Sequence, residues 1–177
     1  LEAEEIKEGN FFPISNNYQL LADMATPIMP IDTLTAKSME EVRPGVYVYD
    51  LGQNMAGVPL LSFSSVKAGT EVKVRFAEVR YPDLPQYKEY VGMIMTENLR
   101  VAQSQDVYVT KGETEEVFSP RFTSHGFRYV EITGVEKPLP MSDVRAIAIS
   151  SMDGLRSHFE TSNTDINRLW LNTVWST

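Results

Sequence analysis

Short runs of β-branched and aromatic residues, each bounded by Gly, Pro, Asp or Ser, occupy most of the middle of the chain. In residues 71–76, valine and phenylalanine alternate with charged residues, which is the pattern of an antiparallel strand with one face in water. The runs that we interpret as strands are residues 46–49, 58–64, 70–79, 101–110, 117–123, 127–133 and 144–150. Turn residues separate them at the spacing of an all-β fold. The sequence therefore predicts an antiparallel two-sheet β-sandwich of the jelly-roll type.

Two segments show no clear period. Residues 1–42 have acidic residues at their start and contain Pro13, Pro27 and Pro30. We expect them to form an irregular connecting arm that leads into a sandwich domain at residues 43–160. Residues 81–98 contain two prolines and three tyrosines. We expect a long loop over an edge of the sandwich there, and such loops in compact domains are either functional or disordered.

The end of the chain has the spacing of a helix. Ser162 and Asp165 resemble a capping box in which Asp replaces the usual Glu or Gln. The residues that recur on one helical face are Ile166, Leu169, Trp170, Thr173 and Val174. We therefore expect a helix with one apolar face within residues 161–177. A lone helix this short is marginal in water, so we expect it to fold back on its own sandwich or to form a dimer with a second copy of the chain.

Composition and charge exclude several classes of partner. A chain of 177 residues is long enough for one well-buried domain and a flanking segment. Its formal net charge of -8 argues against nucleic acid and anionic membrane surfaces, because both favour clustered Lys and Arg. With no cysteine and only His125 and His158, we expect no disulfide, no metal site and no cofactor. No signal-peptide pattern is present, but Leu1 in place of Met suggests an excised fragment, so the compartment of the parent stays open.

The segment of residues 50–57 carries two glycines but lacks the Lys-Ser/Thr pair of a phosphate-binding loop. We expect a turn or a bulge between two strands, because Gly adopts positive φ and Asp and Asn bond to their own backbone. The alternative is that Asp50, Gln53 and Asn54 present polar groups to a sugar or to a neighbouring domain.

Residues 121–129 combine arginine, aromatic and histidine side chains, which are the types that anchor interfaces and stack on sugars. The simpler interpretation is a strand whose aromatic side chains lie in the core. In that case we expect Arg121 and Arg128 to pair with carboxylates, such as Glu78 or Glu131.

Glycoside hydrolysis usually requires two carboxyl groups that face one sugar across a pocket. The candidate carboxylates are Asp50, Glu78, Asp106 and Glu131. Each stands at a strand or turn position that solvation or an arginine pair explains equally well, so we expect no catalytic pair within the chain. His125 and Gly126 are expected to turn the chain. Because no cysteine or acidic cluster lies near this histidine in the sequence, we assign it no metal.

Three separated motifs follow one another along the chain: YDLGQNMAG at residues 49–57, PRFTSHGFRYVEITG at residues 120–134 and SNTDINRLW at residues 162–170. In this order they resemble the join between the β-sandwich and the catalytic domain of bacterial α-L-rhamnosidases. The resemblance covers residues 44–175. It implies a concanavalin-like sandwich that precedes an (α/α)6 barrel, which hydrolyses terminal α-L-rhamnosyl bonds with inversion through acidic residues on the barrel.

The resemblance also implies what the chain lacks. The acid-rich motif of the barrel has no counterpart here, so no catalytic residue is carried over. Residues 163–177 resemble the first barrel helix cut short, so the resemblance implies that residues 161–177 are the start of a truncated helical domain. The segment of residues 81–98 departs from the shorter connection with Asp-Gly that the family would lead us to expect.

The first hypothesis is therefore a non-catalytic β-sandwich that acts as scaffold and interdomain contact for the catalytic (α/α)6 domain of its parent. The residues available for a carbohydrate or interdomain contact are Asp50, Gln53, Asn54, Glu78, Arg121, His125 and Arg128. The alternative is an autonomous carbohydrate-binding module for rhamnosylated glycans, with the tyrosine-rich residues 81–90 as its candidate surface. A complete small hydrolase is a third hypothesis.

Overall fold

Strands are the main regular elements of the computed structural model, which describes residues 21–152, 154–155 and 157–176. The strands are β1 (Met29–Thr35), β2 (Ser38–Arg43), β3 (Val46–Ser64), β4 (Glu71–Ala77), β5 (Val79–Arg80), β6 (Ile94–Met95), β7 (Gln105–Val109), β8 (Glu115–Phe118), β9 (His125–Thr133) and β10 (Val144–Ser150). Short 3-10 helices lie at Pro85–Tyr87, Glu97–Leu99 and Met141–Asp143, and helix α1 (Thr164–Trp175) follows the last strand.

Strand β3 connects the two halves of the main sheet, because different strands pair with its two ends. Strands β2 and β9 pair with its first part, whereas β10 and β8 pair with its last part. The order of the sheet is β1-β10-β3-β9-β4-β7, and β5 pairs separately with β6. All of these pairs are antiparallel. The sheet curls around one core, and the all-β antiparallel fold expected from the sequence is confirmed.

The inward-facing positions of the strands fill this core. Val72, Val74 and Phe76 are fully buried, as their alternation with charged residues predicts. Tyr49 on β3 is also fully buried, and its hydroxyl donates a hydrogen bond of 2.8 Å to the Leu139 carbonyl oxygen. Burial raises the pKa of Tyr49 to about 12. Each large side chain buried in this way stabilises the fold by roughly 1.5–3 kcal/mol.

A smaller apolar cluster lies apart from the main core. Val48, Ala77 and Ile94 are buried there, and Val42 and Tyr129 pack against them. Ile94 belongs to the β5–β6 pair, so this cluster holds the short hairpin against β3 and β9. The connection predicted as a long loop is therefore a structured cover that includes β6 and two 3-10 turns.

The structure differs from the sequence expectation at the N-terminal end of the predicted sandwich. Part of the expected irregular arm forms strands β1 and β2, which pair with β10 and β3, while residues 1–20 lie outside the described residues. Pro30 is compatible with β1 because this strand is the edge of the sheet and its register shifts after that residue. The predicted boundary at residue 43 therefore falls after two strands of the sheet.

Helix α1 begins one residue later than a cap at Ser162 would require. The Asn163 side chain is the N-cap, and it accepts hydrogen bonds from the backbone N–H groups of Asp165 and Ile166. The apolar stripe is divided: Trp170 and Val174 are half-buried, whereas Ile166 and Leu169 are exposed. Trp175 packs against the main core, so the end of the helix folds back on the sandwich. Among the described helices, none is both long and apolar enough to cross a membrane.

Candidate functional site

A wide bulge interrupts the pairing of β3 with β9 and organises the polar residues around it. Asp50 pairs with Tyr129 and Met55 with Phe127, so residues 51–54 stand opposite Arg128 alone. Gly52 has a φ of 79°, which side chains rarely tolerate, and its N–H donates to the Asp50 carboxylate at 2.6 Å. The sequence predicted a turn or bulge here. The structure shows a bulge within one continuous strand.

Arg128 closes this bulge by a bidentate salt bridge with Asp50. Its Nε and Nη2 atoms donate to the two carboxylate oxygens at 2.8 Å each, and its guanidinium lies 5.1 Å from the centre of the Tyr129 ring. These hydrogen bonds lower the pKa of Asp50, and the Gly52 N–H adds to the effect. The sequence predicted a carboxylate partner for Arg128 but named Glu78 or Glu131, which is wrong. The bulge brings Asp50 to it instead.

Glu131 is paired with another arginine. It lies directly opposite Arg75 on β4, and the Arg75 guanidinium donates to it at 2.8 Å. Glu131 is only 3% exposed, and its second carboxylate oxygen has no hydrogen-bond partner among the described residues. This buried carboxylate therefore holds β9 to β4.

Glu78, just after β4, accepts hydrogen bonds from two side-chain amides, its only side-chain partners among the described residues. Asn54 from the bulge donates to one of its oxygens at 3.2 Å, and Asn98 donates to the other at 3.4 Å. The carboxylate also lies close to Gly126, where an added Cβ would stand 3.8 Å from it. Glu78 therefore connects the bulge, the start of β9 and the segment that follows β6.

His125 is fixed by two contacts. Its Nε2 lies 3.1 Å from the Asp106 carboxylate, and its ring stacks on Phe76 at 4.1 Å between centroids. Thr123 also donates to Asp106, at 3.3 Å. The expected turn at His125 and Gly126 is wrong, because both residues begin β9 and pair with β3.

Two openings meet at Glu78. The first, which we call the Glu78–His125 cleft, has a volume of about 380 Å³. It is lined by Glu78, Leu99, Ala102, Ser104, Gln105, Asp106, Thr123, Ser124, His125 and Gly126. Two of the candidate carboxylates, Glu78 and Asp106, thus line one cleft. Asp106 is already engaged by His125 and Thr123.

The second opening, which we call the Arg80 groove, has a volume of about 520 Å³ and lies beside Arg128 and Tyr129. Arg80 crosses it, donating to the Glu40 carboxylate and to the Gly92 carbonyl oxygen at 2.5 Å each. The three tyrosines that the sequence singled out cluster at its edge. The Tyr81 ring lies between those of Tyr87 and Tyr90, at 5.2 and 5.3 Å from their centroids.

The remaining predicted site residues stand apart from these openings. Gln53 donates to the Asn54 carbonyl oxygen at 2.9 Å, a local bond of the bulge, and Arg121 is exposed in the segment between β8 and β9. The structure thus brings together Asp50 with Arg128, and Asn54 with Glu78 near His125. In residues 21–152, 154–155 and 157–176 no group of His, Asp and Glu could hold a metal ion.

Sequence reasoning did not single out Glu116, the most extensively bonded carboxylate. It accepts N–H groups from Lys111, Gly112 and Glu113 at 2.8–3.0 Å and the hydroxyl of Tyr108 at 2.6 Å. These bonds, with that of Lys111 largest, lower the pKa of Glu116 to about 2, and the carboxylate raises that of Tyr108 to about 12. The turn at Lys111–Gly112 was visible in the sequence. Several acidic residues follow it, and nothing in the pattern selects Glu116 among them.

A third opening is apolar and lies at the end of helix α1. Its volume is about 550 Å³, and it lies between β1, β3, β10 and the last turn of the helix. Met55, Ala56, Ala148, Val174 and Trp175 are among the residues that line it. The Ala56 position is exposed and pairs with Gly126 of the Glu78–His125 cleft, so the two openings adjoin across β3 and β9.

Residues 40–150 match the family described as the bacterial alpha-L-rhamnosidase concanavalin-like domain. An alpha-L-rhamnosidase of Streptomyces avermitilis is 40% identical over 157 residues, which are 89% of this chain and 14% of that protein. One from Formosa agariphila is 34% identical over 93% of this chain and 17% of its own length.

Solved structures of alpha-L-rhamnosidases are also similar to this chain over a small part of their length. The crystal structure of Streptomyces avermitilis alpha-L-rhamnosidase complexed with L-rhamnose superposes with a TM-score of 0.80 over 88% of this chain, at 40% identity. The alpha-L-rhamnosidase from Dictyoglumus thermophilum gives 0.77 over 87%, at 34% identity. These matches cover 14% and 16% of the two solved chains. The present chain thus spans about one seventh of the length of the relatives that it matches.

Proposed function

Because the chain belongs to the family of bacterial α-L-rhamnosidase concanavalin-like domains, we propose that it is the non-catalytic β-sandwich of a larger α-L-rhamnosidase. In this role it is a scaffold for, and a contact with, a catalytic (α/α)6 domain elsewhere in the parent protein. One observation carries the proposal: the chain matches relatives named alpha-L-rhamnosidase over nearly its whole length, yet spans only 14–17% of theirs. Most of such a protein lies outside the matched domain.

The partners of the candidate carboxylates support a structural role for the chain. Asp50 is held by Arg128, Glu131 by Arg75, and Asp106 by His125 and Thr123. A retaining or inverting glycosidase needs one carboxyl group free to protonate the leaving oxygen and a second free to attack or to activate water. In the described part of the chain, only Glu78 of these four has no charged partner.

Hydrolysis of an aryl α-L-rhamnoside by the purified chain tests this proposal. We expect no hydrolysis by the chain alone, and hydrolysis by the parent protein that contains the catalytic domain. The matched variants are Glu78→Gln and Asp106→Asn, which remove the carboxylates that share one cleft. Hydrolysis that persists through further purification and disappears in either variant would show a complete small hydrolase instead.

The exposed side of α1 supports a contact with the catalytic domain at the end of the sandwich. Leu169 is 66% exposed and Ile166 44% exposed, although both belong to the apolar stripe of the helix. Apolar side chains of this size gain roughly 1.5–3 kcal/mol each when a partner covers them completely. We propose that the catalytic domain covers them in the parent, and that a second copy of the chain does so when that domain is absent.

A second candidate function, a carbohydrate-binding module, rests on the Arg80 groove. Tyr90 is about half-exposed at its edge, and arginine and carboxylate groups of the kind that bind sugar hydroxyls lie within it. Calorimetric titration with L-rhamnose tests it. Saturable binding that is lost in Tyr90→Ala and retained in Phe159→Ala, a comparably exposed aromatic elsewhere, would establish the module. No heat of binding by the wild-type chain would exclude it for this sugar.

A further inference from the structure

Two apolar side chains project almost completely into solvent beside the Glu78–His125 cleft. Phe122 is 98% exposed and Val101 is 97% exposed. Single exposed apolar residues are common on soluble proteins and need no explanation. These two, however, come from separate loops that line the same cleft. Leu99 and Ala102 line it from the first loop, and Thr123 and Ser124 from the second.

Both loops are fastened to the sandwich, so the backbone that carries the exposed side chains is tethered. In the first, the Ser104 carbonyl oxygen accepts the N–H of Phe76 at 3.0 Å, and the N–H of Ala102 donates to the Leu99 carbonyl oxygen at 3.1 Å. In the second, the Thr123 hydroxyl donates to the Asp106 carboxylate. A tethered loop loses less backbone entropy when a partner covers it than an untethered loop does, which favours a binding surface.

The Glu78 carboxylate in the cleft between them has few hydrogen-bond partners. Among the described residues, it accepts hydrogen bonds from the side chains of Asn54 and Asn98, at 3.2 and 3.4 Å. None of the salt bridges within the described residues includes it. It therefore retains acceptor capacity for a cationic or N–H donor from another surface, which would form a shorter, charge-assisted bond.

The position of the cleft indicates which partner it fits. Gly126 lines the cleft and pairs with Ala56, which lines the apolar opening at the end of α1. The cleft and the helix end thus occupy neighbouring parts of the sandwich surface. In the relatives, more than four fifths of the chain lies outside the matched segment. The surface is therefore continuous with the end of the helix through which we propose that the catalytic domain is joined.

We propose that Phe122, Val101 and Glu78 form a docking surface for the catalytic domain of the parent α-L-rhamnosidase. The proposal rests on the function proposed above and specifies its contact. The complementary surface has apolar recesses for Phe122 and Val101 and an arginine or lysine that reaches Glu78. Aromatic side chains that enter a desolvated pocket at the centre of an interface usually contribute most to its affinity.

The test measures binding of the chain to the catalytic domain of the parent protein, expressed as a separate protein. We expect the wild-type chain to bind it, and Phe122→Ala to weaken the dissociation constant by about tenfold or more. Val101→Ser and Glu78→Gln should each weaken it several-fold. Val117→Ser is the matched control, because Val117 is an exposed valine on β8 that does not line the cleft. Far-UV circular dichroism and urea midpoints verify that each variant is folded.

The possible results distinguish a failure of the docking surface from a failure of the proposed function. If the wild-type chain binds the catalytic domain and Phe122→Ala binds it equally well, the docking surface is wrong and the scaffold function is retained. If the wild-type chain does not bind the catalytic domain at all, both proposals are wrong. Self-association of the chain that is abolished by Phe122→Ala would assign the surface to a second copy and would also overturn the proposal.

Discussion

At the scale of single residues, the pair of Asp50 and Arg128 has the clearest structural role. The bulge leaves Arg128 opposite four residues of β3, and its guanidinium ties the carboxylate at the start of the bulge to β9. Arg128 is 40% exposed and Asp50 only 20%, so removing the arginine leaves a mostly covered carboxylate without its cation. Such a loss is larger than that of an exposed surface pair.

We therefore predict that Arg128→Ala lowers the free energy of unfolding by about 1–2 kcal/mol. Arg100→Ala is the control, because Arg100 is exposed and lies in a loop outside the sheet. Urea denaturation at neutral pH measures both. Equal midpoints for the two variants would show that the Asp50 pair contributes nothing to stability.

Glu116 gives a prediction about pH. Its pKa is lowered from 4.5 to about 2, chiefly by the N–H of Lys111 and the hydroxyl of Tyr108. A carboxyl group whose pKa is lower in the folded state stabilises the protein above its unfolded pKa, and this stabilisation is lost as the pH falls through the folded value. Glu116→Gln keeps the shape but removes the charge and one acceptor oxygen.

Glu116→Gln should therefore lower the urea midpoint at neutral pH. The difference from wild type should shrink as the pH falls from about 4.5 towards 2, where the wild-type carboxylate also becomes neutral. Glu115→Gln, an exposed neighbour on the same strand, is the control and should show little difference at any pH. A Glu116→Gln difference that stays constant over this range would contradict the prediction.

At the scale of elements, the sequence predicted the strands better than their continuity. Alternation located β4 and the valine-rich strands, because one face of each is buried in the core. It split β3 at residues 50–57, because Asp, Gly and Asn there have the chemistry of a turn. The bulge uses that same chemistry, and only pairing with β9 and β10 decides that the strand continues.

Strand pairing, which the sequence pattern does not show, also decides the contacts of the candidate site. The position of the arginines in an apolar strand predicted that they would pair with carboxylates. The choice of Asp50 as the partner of Arg128 depends on a bulge. The contacts of Glu78 with Asn54 and Asn98 join segments 24 and 20 residues away in sequence. No local pattern encodes such pairings, since they arise from the curl of the sheet.

Helix α1 offers a test of how an element is anchored. Trp175 packs against the main core, whereas the contact recorded for the Trp170 ring is with Phe159, 5.7 Å between centroids. We predict that Trp175→Ala lowers the free energy of unfolding by about 1–2 kcal/mol, since the side chain is half-buried, and that Trp170→Ala costs less. Chemical denaturation followed by far-UV circular dichroism compares the two. A larger loss for Trp170→Ala would show that the helix is anchored through Phe159.

At the scale of the whole molecule, the sandwich is self-sufficient in its core but not at one end. The buried residues form one main cluster that the sheet encloses. The buried polar groups Thr110 and Glu116 are hydrogen-bonded to backbone atoms of neighbouring turns, at Lys67 and at residues 111–113. Helix α1, by contrast, covers the sandwich with its last turn and leaves Ile166 and Leu169 in water. Among the described residues, Ile166 and Leu169 stay exposed, and the function proposed above assigns their cover to the catalytic domain.

We predict that the intact chain self-associates reversibly through this exposed stripe when no catalytic domain is present. Covering several apolar side chains is favourable, and the helix, whose last turn packs against the main core, can align its exposed stripe with the same helix of a second copy. Sedimentation equilibrium should show a concentration-dependent dimer for the intact chain and a monomer for a version that ends at Glu160. Leu169→Lys should give the monomer while retaining the fold, and Phe122→Ala should leave the dimer unchanged, because Phe122 lies outside the helix. A monomer for the intact chain at every concentration would contradict the predicted self-association. It would mean that the packing of the last helical turn is enough to keep the chain monomeric.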